Sequence, residues 1–295
     1  MPEKALQEIE PLSAVDLKGI FAPMLNPLIK VGDETRLDET SLATEVIHVA
    51  NGGVSGEFFG ANASEALYLP FNFLLNSIYI GANTVSNFNQ EHDTGIKVVV
   101  GTLRHSLEER LMVAKLAAKL SVDALVVVPF LTEAGITAED NLAQIATVTD
   151  LSLIFYDNPK LTGDVTMDPK WVAAMRQKFP GRIIGVKESA ANVELTRQYL
   201  EMNLPDFSVM QGDTKGGLAA LDMGAKGMVP VEACVNPGRY VNFYHEPTAA
   251  NFQPIEAEIA ERKLVMAESG ENWLQYFKRQ MVEAGIFQDG LAIGK

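Results

Sequence analysis

Short apolar runs alternate with longer amphipathic segments along almost the whole chain. Gly19–Met24 predicts a first strand, and Asp38–Ala50 a helix with apolar positions at Leu42, Val46, Ile47 and Ala50. Gly53–Phe59 predicts a second strand. A helix over about Glu65–Ile80 follows, with Pro70 near its start or bending it. Asn83–Gly95 is polar and reads as a loop. Lys97–Gly101 and Asp123–Pro129 predict the third and fourth strands, followed by helices at Leu107–Leu120 and Ala138–Val148. Ser152–Tyr156 is the fifth, before a helix at Asp168–Lys178 with Asp168 as N-cap and Pro169 in its first turn. Arg182–Lys187, Phe207–Gln211 and Lys226–Val231 complete the strands, with helices at Val193–Leu200 and Gly217–Met223 between them. Gly238–Ile286 reads as mostly helical.

Several of these strands are continuous apolar runs rather than alternating ones. Strands covered on both faces have that pattern, as in a parallel sheet with helices outside. Eight strand–helix units predict an α/β fold, a (β/α)8 barrel over residues 12–237. Residues 1–11 are expected to be a tail and 238–295 a C-terminal helical extension. An open doubly wound sheet is the rival, but no Gly-rich dinucleotide fingerprint follows the first strand.

Composition narrows the function. The net charge of −14 disfavours nucleic acid and anionic membranes as partners. No apolar run has the length of a membrane span, and Met1–Pro11 has no signal-peptide core. The lone cysteine, Cys234, permits no intramolecular disulfide and suits a cytoplasmic protein. It reads as a buried small hydrophobe. The four histidines, His48, His92, His105 and His245, form no short-spaced metal-ligand pair.

The chemistry concentrates on Lys187, which ends an apolar strand. Burying an ammonium is costly. Such a lysine reaches water with its tip, pairs with a carboxylate, or serves as a neutral amine that attacks a carbonyl. Barrel active sites lie at the C-terminal ends of the strands. Tyr156 ends the neighbouring strand, so both side chains should face one cavity, where the phenol can shuttle protons. The second strand runs into Gly60–Glu65, small residues whose N–H groups, near a helix start, suit a carboxylate. Asp213 and Lys215, after the seventh strand, are either loop charges or contacts to a substrate tail.

At these residues the chain resembles the pyruvate-dependent class I aldolases, a family that includes dihydrodipicolinate synthase, N-acetylneuraminate lyase and 2-keto-3-deoxygluconate aldolase. The likeness spans about Leu17–Tyr240. It is strongest at Phe155–Gly163 and Gly185–Ser189, with Asp157 where the family usually has Asn. Gly212–Asp213 and Gly227–Val231 resemble later family segments less closely.

The resemblance implies a barrel, usually a homotetramer, without metal or other cofactor. Its substrates would be small molecules: pyruvate and an aldehyde, or their aldol product. It makes Lys187 the Schiff-base nucleophile and Tyr156 the proton shuttle. Asn62 and Ala63 would bind the pyruvate carboxylate, and Leu131, Leu161, Gly212, Asp213 and Val229 would line the substrate site.

Three departures bear on substrate. Asn62 and Ala63 replace two loop hydroxyls of the family. Leu131 stands where the synthase has an interface tyrosine, and Leu161 where it has the arginine for the aldehyde substrate's carboxylate. These weigh against lysine-pathway synthase activity. The expectation is a divergent lyase acting on a 2-keto-4-hydroxy acid or 2-keto-3-deoxy sugar acid. The alternatives are a sugar-acid dehydratase, the synthase itself, and a catalytically silent keto-acid binder.

Overall fold

The computed structural model describes residues 12–294, so the tail expected over residues 1–11 lies outside the described residues. The chain opens with β1 (Gly19–Pro23), a hairpin of β2 (Leu28–Val31) and β3 (Glu34–Leu37), and α1 (Glu39–Asn51). Then come β4 (Gly56–Phe59), α2 (Phe71–His92), β5 (Lys97–Gly101), α3 (Leu107–Lys119), β6 (Ala124–Val127) and α4 (Ala138–Val148). β7 (Ser152–Asp157), a short α5 (Pro159–Thr162), α6 (Pro169–Lys178), β8 (Ile183–Glu188) and α7 (Val193–Glu201) follow. β9 (Ser208–Gln211), α8 (Gly217–Asp222) and β10 (Gly227–Met228) complete the barrel. Three helices end the chain: α9 (Pro237–His245), α10 (Ala249–Ser269) and α11 (Trp273–Glu283).

The barrel closes in the order β1-β10-β9-β8-β7-β6-β5-β4, with every pair parallel. Phe21, Phe58, Val99, Val126, Ile154 and Met210 converge on a small apolar gap on its inside, and Lys187 joins them. At the mouth β4 and β5 approach so closely that a Cβ on Gly60 would lie 2.8 Å from the Gly101 carbonyl oxygen. Gly60 also has φ +66°, so glycine is required there twice over.

Two segments depart from the sequence expectation. The helix after β4 begins at Phe71, not near Glu65, with Pro70 as its N-cap. It then runs to His92, through the stretch that reads as a polar loop. Leu74, Ile78, Ala82, Val85 and Phe88 are buried at helical spacing, and this apolar face outweighs the Asn- and Ser-rich exterior. The last strand stops at Met228 rather than Val231. Pro230 cannot donate to a ladder, and Val231–Cys234 tightens into a 3-10 turn. The hairpin was not expected from the sequence. Its two-residue Gly32–Asp33 turn, with Gly32 at φ +63°, joins paired Val31 and Glu34.

Behind the sheet lies an acidic cluster. Glu57, on β4, is fully buried, and neither carboxylate oxygen has a hydrogen-bond partner among the described residues. Glu45, on α1, accepts from the Leu25 N–H at 2.8 Å through one oxygen, and its other oxygen is unpartnered. Burial pushes Glu45 up to about 8 and Glu57 well above the ordinary carboxylate range. The single cysteine is buried beside them, as expected, and its thiol donates to the Pro23 carbonyl oxygen at 3.3 Å.

Candidate active site

Parallel pairing of β7 with β8 sets Tyr156 directly opposite Lys187. Both point inward. The next residues, Asp157 and Glu188, point outward and fasten the strand ends to the helix layer. Asp157 accepts from the Tyr199 hydroxyl at 2.7 Å and from the Met167 N–H. Glu188 accepts from Thr196 Oγ1 and Gln211 Nε2, each at 2.9 Å. The acidic pair therefore anchors the two strands whose ends carry the nucleophile and the phenol.

Lys187 is only 6% exposed, and its ammonium makes no ion pair among the described residues. Nζ lies 4.2 Å from the centroid of the Tyr156 ring and 5.0 Å from that of Phe58. The aromatic faces favour a cation. Desolvation opposes it and prevails, lowering the amine from 10.5 to about 7. The Tyr156 hydroxyl accepts from Asn158 Nδ2 at 2.8 Å. Burial pushes this phenol up, and contacts with Asn158 and Ser189 offset part of the rise.

These groups open into a cavity of about 590 Å³. Ala61, Asn62 and Ala63 form one wall. The Asn62 and Ala63 N–H groups donate to no acceptor among the described residues. Their loop is held rigidly. The Ser64 hydroxyl donates to the Met24 carbonyl at 2.7 Å and accepts from the Ala61 N–H at 3.0 Å. Glu65, with φ 56°, pairs with the wholly buried Lys278 of α11 and accepts from the Ile293 N–H at 2.6 Å and the Gly294 N–H. The loop is thus tied to the end of the chain. Because α2 begins only at Phe71, the N–H groups are presented by turns and not by a helix N-terminus, a correction to the sequence expectation.

Gly212 lines the cavity for a steric reason. A Cβ there would overlap the Ser189 hydroxyl and come within 2.9 Å of the Glu188 carbonyl oxygen and 3.0 Å of Lys187 Cε. Gly212→Ala should displace Ser189 and crowd the lysine stem, slow reaction of its amine with carbonyl compounds about tenfold or more, and cost about 1–3 kcal/mol of stability. Amine-trapping kinetics beside a denaturant melt check both parts.

Asp213 and Val229 also line the cavity, so Lys187, Tyr156, Asn62, Ala63, Gly212, Asp213 and Val229 come together. Leu131 and Leu161 do not join them on its wall. Leu131 is buried, and its carbonyl accepts from the Arg110 guanidinium at 2.9 Å. Leu161 packs against the core from α5.

Sequence reading missed Asn158 and Ser189, although both sit inside the motifs that it singled out. It also missed Arg262, Lys263, Met266, Trp273 and Phe277, which α10 and α11 bring to the cavity. A helical pattern alone does not show which residues a terminal helix will turn toward a distant barrel mouth.

Comparison with known proteins bears on the fold and the family. The sequence model of the Dihydrodipicolinate synthetase family matches residues 16–273. The 4-hydroxy-tetrahydrodipicolinate synthase of Persephonella marina is 32% identical over 218 residues, 72% of this chain and 69% of that protein. The 2-keto 3-deoxygluconate aldolase from Picrophilus torridus superposes with a TM-score of 0.75 at 20% identity, over 94% of this chain and 96% of that one. YagE, a prophage protein from E. coli K12 solved in complex with pyruvate, gives a TM-score of 0.77 at 18% identity, over 94% and 91%. The two structures share the fold, and the family model reaches further: this chain belongs to the Dihydrodipicolinate synthetase family.

Proposed function

We propose that the protein is a Schiff-base-forming lyase of the aldolase type, which makes or breaks a carbon–carbon bond next to pyruvate. The observation that carries this reading is the Lys187 amine, buried and without an ion pair among the described residues, on the lining of a cavity beside a phenol. An amine near 7 is neutral often enough at physiological pH to attack a ketone.

The steps follow from the positions. Lys187 Nζ adds to the keto carbon of pyruvate, whose carboxylate takes the free N–H groups of Asn62 and Ala63. Tyr156 protonates the departing oxygen, and water leaves to give a protonated imine. The Tyr156 phenolate left by that step takes a methyl proton, which gives an enamine, the carbon nucleophile, and restores the phenol. Its attack on an aldehyde carbon forms the new bond while Tyr156 delivers a proton to the alkoxide. Hydrolysis of the imine frees the amine and a 2-keto-4-hydroxy acid, and the reverse sequence cleaves one. The protonated imine is the electron sink, so the reaction as written calls for no metal or other cofactor. A homo-oligomeric assembly belongs to the same reading, on the family likeness.

Borohydride added with pyruvate tests it. Reduction should fix a pyruvate-derived group on the peptide carrying Lys187, seen by mass spectrometry. An unmodified Lys187 after treatment with pyruvate and a range of 2-keto acids overturns the reading.

A further inference from the structure

The outer part of the cavity has a charge pattern that the pyruvate chemistry does not use. Lys160 of α5, Lys215 of the 3-10 turn at Thr214–Gly216 and Lys263 of α10 all line it, and all are exposed. None forms an ion pair among the described residues. The chain has 38 acidic residues against 24 Lys and Arg, whereas the cavity lining has five basic side chains against three acidic ones. One of the three carboxylates on this lining is engaged. Glu232 is taken by Arg262 and by the Thr214 hydroxyl, at 2.7 Å from the latter. Asp164 and Asp213 lie on the same wall without pairing to the lysines.

Lys215 and Lys263 line the same cavity from separate elements, and the Lys263 ammonium is pushed down chiefly by Lys215 and also by Arg262. Two such ammonium groups repel, and an anion between them would turn the repulsion into two attractions. The Thr214 hydroxyl beside them is already committed to Glu232.

We infer that Lys215 and Lys263, assisted by Lys160, form an anion subsite for the far end of the aldehyde partner, which bears a carboxylate or a phosphate. The inference rests on the aldolase reading and specifies its second substrate. Pyruvate fills the inner end, between Lys187 and the Asn62–Ala63 loop. The partner's carbonyl meets the enamine, and its charged end reaches the lysines.

The experiment compares glyceraldehyde, glyceraldehyde 3-phosphate and succinic semialdehyde as partners of pyruvate. Borohydride trapping of pyruvate alone runs in parallel. At least one anionic aldehyde should show kcat/KM about tenfold or more above glyceraldehyde, mainly through KM. Whichever gains more identifies the anion. The advantage should shrink with rising salt, because these lysines are exposed. In the K215M/K263M double variant the ratio of anionic to neutral kcat/KM should fall toward one. If pyruvate is still trapped while neither anionic aldehyde outperforms glyceraldehyde, the subsite is wrong and the aldolase reading stands. A ratio that survives the double variant also overturns the subsite. If pyruvate is not trapped, both readings fail together.

Discussion

Replacing Lys187 by methionine should lower pyruvate-dependent turnover by about 10,000-fold or more and abolish the borohydride adduct, since the other lysines on the cavity are exposed rather than desolvated. Methionine suits the apolar floor, so the variant should fold and melt at or above the parent temperature. Removing a desolvated amine also removes the cost of neutralising it. That cost follows from linkage: a lysine whose folded value lies below its unfolded one disfavours folding at low pH, and the penalty fades as pH rises from about 7 to 10.5. In the parent, adduct formation should rise with pH through about 7 and then level off. An amine at the ordinary 10.5 would be neutral about 1,600-fold less often at pH 7. No falling limb should follow just above neutrality, because burial holds the Tyr156 phenol in its protonated form. Tyr156→Phe should separate the steps. Its adduct still forms, but more slowly, and turnover falls about 100- to 10,000-fold. A Lys187→Met protein with parental turnover, or a profile flat from pH 6 to 9, would contradict this account.

The barrel was legible because covered parallel strands are written as short apolar runs, and all eight stand in or close to the positions their runs predict. Lys187 and Tyr156 were legible for a related reason. A lysine at the end of such a run is chemically anomalous, and barrel topology makes neighbouring strand ends share a mouth. The hairpin was hidden because β2 and β3 lie outside the barrel, with Lys30, Val31, Glu34 and Arg36 largely in solvent and no core pattern to give them away. The second half of α2 was hidden by its polar exterior. Glu57 is a different case. Its place between Gly56 and Phe58 on an inner strand was visible, but nothing local indicates a carboxylate buried without a donor. Lys263 needed the tertiary fold, because only the return of α10 over the mouth sets it beside Lys215.

Glu57→Met should stabilise the protein, and more so as the solution becomes alkaline. Both Glu57 oxygens are enclosed without a donor, and the neighbouring Glu45 carboxyl raises the cost of a charge. The folded protein therefore holds protons that the unfolded chain releases above about 4.5. The sign is that of an acid raised by folding. Stability is greatest at low pH and declines as pH rises from the unfolded value through the folded one. For Glu45, raised from 4.5 to about 8, the decline across that interval is about 5 kcal/mol. Glu57 adds to it in the same direction. Lys278 draws Glu45 down and limits the effect, while the Cys234 thiol, itself pushed up by burial and by both glutamates, stays neutral. Lys187 works in the opposite sense above pH 7, so the comparison is best made in the Lys187→Met background, where that contribution is absent. There the melting temperature should fall steadily from pH 6 to 9, and Glu57→Met should reduce the slope and raise the curve by about 5 °C or more at the alkaline end. Methionine matches the volume and removes the unpaired oxygens, whereas Glu57→Gln keeps a polar group with nothing to bond and should recover less. Calorimetry over this range decides the matter: equal slopes for Glu57 and its methionine variant would mean that the carboxyl is ionised in the folded protein and finds its donor elsewhere.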